Sequence, residues 1–217
     1  MVAKDWRDRS TDRERMNLPN ILTISRVPLM FVVVGLMYAD FEWCATIAFW
    51  LYIAAALTDW LDGMLARRAN QVSSFGRFMD AVIDKVMVLG LMIALTNRGY
   101  FWFAGKDYTI TAVVLLLCIL CREFAISGMR MAAAMRGIAI EADTSGKVKT
   151  FTQLNAIGWL LGAKMFEHDW SDVFPPDERV IITSIHNIGL FLFVLSAVLT
   201  ITSGLSYFKR HGHVVMD

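Results

Sequence analysis

Six apolar stretches of about 20 residues each constrain this chain more than any other feature of its sequence. A helix needs about 20 apolar residues to cross the roughly 30 Å core of a bilayer, where every backbone N–H and C=O must be satisfied within the element itself. The stretches cover roughly residues 21–39, 43–66, 79–97, 109–134, 149–166 and 182–206. They explain a hydrophobic content of 56%, against about 45–50% in soluble domains. The expected fold class is all-α: a polytopic membrane protein with six transmembrane helices. Residues 1–17 are too charged for a cleavable leader, so the first apolar stretch reads as a retained helix.

Lysine and arginine positions orient such a bundle. With the N-terminus inside, the inner side holds Lys4, Arg7, Arg9, Arg13 and Arg15, then Arg67, Arg68 and Arg77, then Arg136, Lys147 and Lys149, and finally Lys209 and Arg210. The other side holds Arg98, Lys106, Lys164 and Arg179. This asymmetry places both termini on the inner, cytoplasmic side, and an even number of spans agrees. Three parts follow: an N-terminal cytoplasmic or interfacial segment (1–17), a six-helix transmembrane domain (18–207) and a cytoplasmic tail (208–217). Residues 2–16 alternate charges around Trp6, as a helix lying on a membrane surface does. Pro19 and Asn20 are expected to break the chain before the first span, and Trp170–Asp177 reads as an outer loop.

The net charge of +1 gives no footprint for nucleic acid, and none is expected as a partner. Cys44, Cys118 and Cys121 lie in or beside apolar runs, where they read as small apolar side chains and not as a disulfide framework. His186, lone and apolar-flanked, reads as a packing residue.

The chemistry concentrates between Thr58 and Lys85. Asp59 and Asp62 are three apart and Asp80 and Asp84 four apart, so each pair shares a helix face. The polar stretch around Gly76 is expected to form a short turn between two antiparallel helices. That turn sets all four carboxylates against one another at the cytoplasmic surface. Four carboxylates in a partly dehydrated site must protonate, pair or bind cations. All-oxygen ligands suit hard ions such as Mg²⁺, Mn²⁺ or Ca²⁺, and two such ions form a clamp for phosphoryl displacement. Gly63 and Ala66 leave room for a bulky ligand on the same face, and Arg67 suits a phosphate.

The string D-x2-D-G-x2-A-R-x8-G-x3-D-x3-D, here running from Asp59 to Asp84, resembles the signature of the CDP-alcohol phosphotransferase family at every fixed position. The resemblance implies two divalent ions, Mg²⁺ or Mn²⁺, held by Asp59, Asp62, Asp80 and Asp84, with Asp84 also the catalytic base. It implies a CDP site formed by Asp59, Asp62, Gly63, Ala66, Arg67, Gly76 and Asp80, and it suggests a homodimer. Three further strings are similar to the branch of the family that makes phosphatidylglycerophosphate from CDP-diacylglycerol and glycerol 3-phosphate. They are Asn17–Thr23 followed by Arg26, Arg122–Arg130, and Gly146–Thr150. The implied acceptor site takes Asn20, Thr23, Arg26, Arg122, Arg130, Lys147 and Lys149.

The residues support that acceptor on their own. Glycerol 3-phosphate is a dianion and needs cations near the metals. Arg122 and Arg130 are two helical turns apart on one face, Lys147 and Lys149 open the fifth stretch, and Arg26 reaches from the first. Arg122 is expected to pair with Glu123 or Asp84. A cardiolipin synthase of the CDP-diacylglycerol type would share the signature but has less use for these cations. A divalent-cation transporter would place its carboxylates near mid-membrane on broken helices in two related halves, and no repeat is visible.

Overall fold

The computed structural model describes residues 18–69, 74–136, 138, 145–173 and 179–211. Six helices lie among them: α1 (Leu18–Tyr38), α2 (Cys44–Ala69), α3 (Ser74–Asn97), α4 (Thr109–Met135), α5 (Ser145–His168) and α6 (Arg179–His211). Each apolar stretch became one helix. Among the described residues, α4 and α6 are long and apolar enough to cross a membrane, and Ser25–Tyr38, Cys44–Thr58 and Lys85–Asn97 are shorter apolar helical segments. The expected surface helix over 2–16 lies outside the described residues.

Two local expectations are corrected. Pro19 and Asn20 do not break the chain; they form part of the first turn of α1. Proline is tolerated there because its missing N–H would have no partner in any case. Gly76 is not in a turn. It lies in α3, which opens at Ser74, a residue type favoured at helix starts, so Asp80 and Asp84 sit one and two turns further in.

Between α3 and α4 the chain makes a small antiparallel hairpin of β1 (Trp102–Phe103) and β2 (Lys106–Asp107), with Trp102 opposite Asp107. Its two turn residues, Ala104 and Gly105, both have positive φ, as a tight hairpin of this length requires.

The core runs along the bundle axis through Val33, Leu91, Met92, Leu95, Ile119, Ile157, Leu160 and Phe193, all nearly sealed from solvent. The outer surface is also apolar: Phe31, Trp50, Ile110, Phe124, Phe191 and Leu205 are exposed. A water-soluble surface does not tolerate that density of large apolar groups, but lipid does. The protein is a membrane protein. α5 and α6 share the largest interface, where Gly189 lets the helices close up. A Cβ there would stand 2.8 Å from Leu160 Cγ and 3.1 Å from its backbone nitrogen.

One end of the bundle is tied by polar contacts. Asp169 accepts a 2.6 Å hydrogen bond from the Thr46 backbone N–H near the start of α2, and Trp170 Nε1 donates to Thr46 Oγ1. Tyr38 OH donates to Asn97, and His186 Nε2 bonds the Tyr100 carbonyl while its ring stacks on Trp102. Burial of His186 agrees with its expected packing role. Further along the same pair of helices, Tyr52 OH donates to the Leu154 carbonyl at 2.6 Å. The expected outer loop joins this end through Trp170; residues 174–178 lie outside the described residues.

Candidate active site

The helices alternate in direction, so the opposite end gathers the start of α1, the end of α2, the start of α3, the end of α4, the start of α5 and the end of α6. Every residue expected to act falls at that end. Asp59, Asp62, Gly63, Ala66 and Arg67 belong to α2, and Gly76, Asp80 and Asp84 to α3. Asn20 and Thr23 belong to α1 and Lys147 to α5. The side chains of these eleven residues lie outside the described residues.

What surrounds them is described. Arg26 is 2% exposed, an unusual position for a charged side chain. It lines a small cavity of about 40 Å³ together with Tyr52, Ala55 and Ala56 of α2, Met87, Val88 and Leu91 of α3, and Thr150 of α5. Ala55 lies one turn before Asp59, Val88 one turn after Asp84, and Thr150 next to Lys149. Arg26 is therefore enclosed by the same three helices that carry the aspartates and the lysine.

Arg122, Glu123 and Lys149 form the second part. Arg122 Nη1 donates to Glu123 Oε1 at 2.8 Å, and Lys149 Nζ pairs with the same oxygen. The three side chains are only 13%, 14% and 6% exposed. The expected pairing of Arg122 with Glu123 is present. Glu123 as the hub joining α4 to α5 was not anticipated, although its place beside Arg122 and within reach of a helix starting near Lys149 was the available signal. Arg122 Nη2 also donates to Ser203 Oγ on α6 at 2.9 Å. Arg130, two turns on, donates from Nε to Tyr207 OH at 3.1 Å. Ser203 and Tyr207 are site neighbours that a reading of the sequence passes over, because each looks like an ordinary residue of an apolar helix.

A third feature is an apolar groove of about 610 Å³ between α2 and α5, bounded by Tyr52, Ile53, Leu57, Phe151, Leu154 and Trp159. It runs along the stretch of α2 that leads to Asp59.

A separate cluster at the tied end brings Cys44, His168 and Asp169 donor atoms within 4.8 Å of one another. Both Asp169 oxygens already accept hydrogen bonds, from His168 Nδ1 and from Thr46, and the Cys44 thiol donates to the Ala39 carbonyl. Burial alone would raise the Asp169 pKa, but these hydrogen bonds, His168 first, outweigh it and hold the carboxyl below its usual range. The cluster is a helix-end network, at the end of the bundle away from the aspartates. All three cysteines are free, as expected.

The family model of CDP-alcohol phosphatidyltransferases matches residues 16–203, nearly the whole chain. The chain belongs to this family. Among its relatives are the CDP-diacylglycerol–glycerol-3-phosphate 3-phosphatidyltransferases of Salmonella choleraesuis and Salmonella typhimurium. Each is 34% identical over 205 residues, which cover 94% of this chain and 99% of the relative. A cardiolipin synthase (CMP-forming) of Oryza sativa subsp. japonica is 31% identical over 219 aligned residues, covering 99% of this chain and 63% of the plant protein.

Proposed function

We propose that this member of the family transfers the phosphatidyl group of CDP-diacylglycerol to glycerol 3-phosphate, giving phosphatidylglycerophosphate and CMP. The observation that carries the reading is the convergence of a complete aspartate signature with a buried cationic cluster at one end of the bundle. Among the described side chains, Arg122 and Lys149 share one carboxylate, Glu123, and Arg130 lies two turns along α4 against Tyr207, so positive charge is in excess there. That excess matches a phosphate monoester dianion. A phosphodiester carries one charge, and a neutral alcohol none.

The donor set fits the metal the family resemblance implies: four carboxylates and no sulfur or imidazole suit Mg²⁺ or Mn²⁺. Asp59, Asp62, Asp80 and Asp84 would hold two such ions, which supply charge neutralisation for a pyrophosphate and for departing CMP. Gly63, Ala66, Arg67 and Gly76 complete the CDP subsite. Asp84 takes the proton from the C1 hydroxyl of glycerol 3-phosphate. The oxygen bonds to the β-phosphorus as the bond from phosphorus to CMP breaks. Arg26, Arg122, Arg130, Lys147 and Lys149, with Asn20 and Thr23, hold the acceptor's own phosphate. The apolar groove beside α2 offers the acyl chains a path from the bilayer. On this reading all six helices cross an inner membrane, both termini and the site face the cytoplasm, and residues 18–207 form the catalytic domain. The family resemblance also supports a homodimer.

The rice relative favours a second reading, in which phosphatidylglycerol is the acceptor. Purified protein in detergent, given CDP-diacylglycerol, Mg²⁺ or Mn²⁺ and each acceptor in turn, separates the two. Product with glycerol 3-phosphate, lost with a chelator, is expected; product with phosphatidylglycerol alone would sink the acceptor assignment. Asp84→Asn is expected to insert normally and show almost no turnover, and wild-type turnover by that variant would remove Asp84 as the base.

A further inference from the structure

The last turns of α6 touch both arginines of the acceptor subsite. We infer that Ser203, Gly204 and Tyr207 form a cradle that sets the aim of Arg122 and Arg130, and so positions the acceptor. The inference deepens the proposed function and rests on it.

Three contacts make the cradle. Ser203 Oγ accepts from Arg122 Nη2 and donates its own hydrogen to the Thr200 carbonyl at 3.1 Å, which leaves its lone pairs turned to the guanidinium. Gly204 follows. A Cβ there would lie 2.6 Å from Arg122 Cγ and 3.2 Å from Nε, so the arginine stem rests directly on the backbone of α6. Cγ is close to the root of the side chain and cannot swing aside without moving the whole guanidinium. Tyr207, one turn on and 3% exposed, accepts from Arg130 Nε and brings its ring centroid 5.4 Å from the guanidinium carbon.

Glycine inside a helix is a poorer choice than alanine for helix stability. At 204 the lack of a side chain is explained by what lies against it. A guanidinium fixed by a hydrogen bond at one edge and a flat surface under its stem loses little freedom when it grips a phosphate, and its planar fork needs the right direction to do so. Ser203 and Tyr207 are thus positioning residues: they act on the acceptor through the arginines.

The test is a comparison of full-length wild type with Ser203→Ala, Gly204→Ala and Tyr207→Phe in detergent, reading KM for each substrate and the unfolding temperature. Gly204→Ala is expected to raise KM for glycerol 3-phosphate about tenfold. Ser203→Ala and Tyr207→Phe are expected to raise it about threefold. KM for CDP-diacylglycerol should stay within about twofold, while the unfolding temperature of Gly204→Ala should fall by a few degrees at most, because the added Cβ displaces the Arg122 stem. In an Arg122→Ala background, Gly204→Ala should add nothing more. Wild-type turnover of glycerol 3-phosphate with no KM change in any variant overturns the inference alone. Parallel rises in both KM values with lower unfolding temperatures overturn it too, by making the contacts purely structural. Wild-type protein that makes no product with glycerol 3-phosphate overturns the acceptor reading, and the cradle with it. If Gly204→Ala does not fold, the two milder variants decide.

Discussion

Glu123→Gln removes one negative charge from a site that holds two cations and keeps nearly the same shape. Its carboxylate and the side chains of Arg122 and Lys149 are all less than 15% exposed. The value of under about 1 kcal/mol for solvent-exposed ion pairs therefore does not apply. Removing one partner of a buried pair leaves a buried charge uncompensated and costs about 3–5 kcal/mol. Glutamine still offers an oxygen to Arg122, which puts this change near the lower end, about 3 kcal/mol. In a chain of this size about 2–4 °C is lost per kcal/mol, so the unfolding temperature should fall by roughly 6–12 °C. Two companions sharpen the reading. Lys149→Met in the Glu123→Gln background removes one of the stranded charges and should recover much of the loss. Glycerol 3-phosphate, whose phosphate can replace the missing carboxylate, should raise the unfolding temperature of Glu123→Gln more than that of wild type. Tryptophan fluorescence in detergent follows all of these. An unfolding temperature for Glu123→Gln within 2 °C of wild type would refute the claim that this carboxylate neutralises a buried cationic cluster.

Gly189→Ala should destabilise the α5–α6 interface by about 1–3 kcal/mol through overpacking against Leu160, whereas Gly35→Ala, with open space around it, should stabilise α1 by about 0.5–1 kcal/mol; unfolding curves of the two variants test the opposite signs. Asp169, whose pKa is lowered in the fold, contributes stability that is present above about pH 4 and lost as the pH falls through its depressed value. Wild type should therefore lose stability more steeply in acid than Asp169→Asn, and equal slopes in acid unfolding would exclude the contribution.

The helices were legible because a 20-residue apolar run has few other outcomes; the observed ends of all six fall within about five residues of those expected. The segments that carry Asp59, Asp62, Asp80 and Asp84 are helical, as their three- and four-residue spacing led us to expect. The turn around Gly76 was misjudged because glycine suggests a break, while the residues after it keep helical spacing and continue α3. The hairpin at Trp102–Asp107 is too short to show alternation, and only Ala104–Gly105 hints at its turn. Glu123, Ser203, Gly204 and Tyr207 were not legible as a unit. Arg122 and Ser203 lie 81 residues apart in the chain, and only packing of α6 against α4 brings them together.

The two fasteners between α2 and α5, Thr46–Asp169 and Tyr52–Leu154, make the rest of α2 a lever arm. Asp59 lies seven residues beyond the Tyr52 pivot and Asp62 ten, about 10 and 15 Å along the helix axis. A tilt of about 5° swings those positions by roughly 1 Å, while the pinned half stays still. A displacement of that size at a reacting centre can change a rate about a hundredfold. Bilayer thickness tilts helices through hydrophobic mismatch, so under the proposed mechanism the lipid around this enzyme is also a force on the gap between its aspartates.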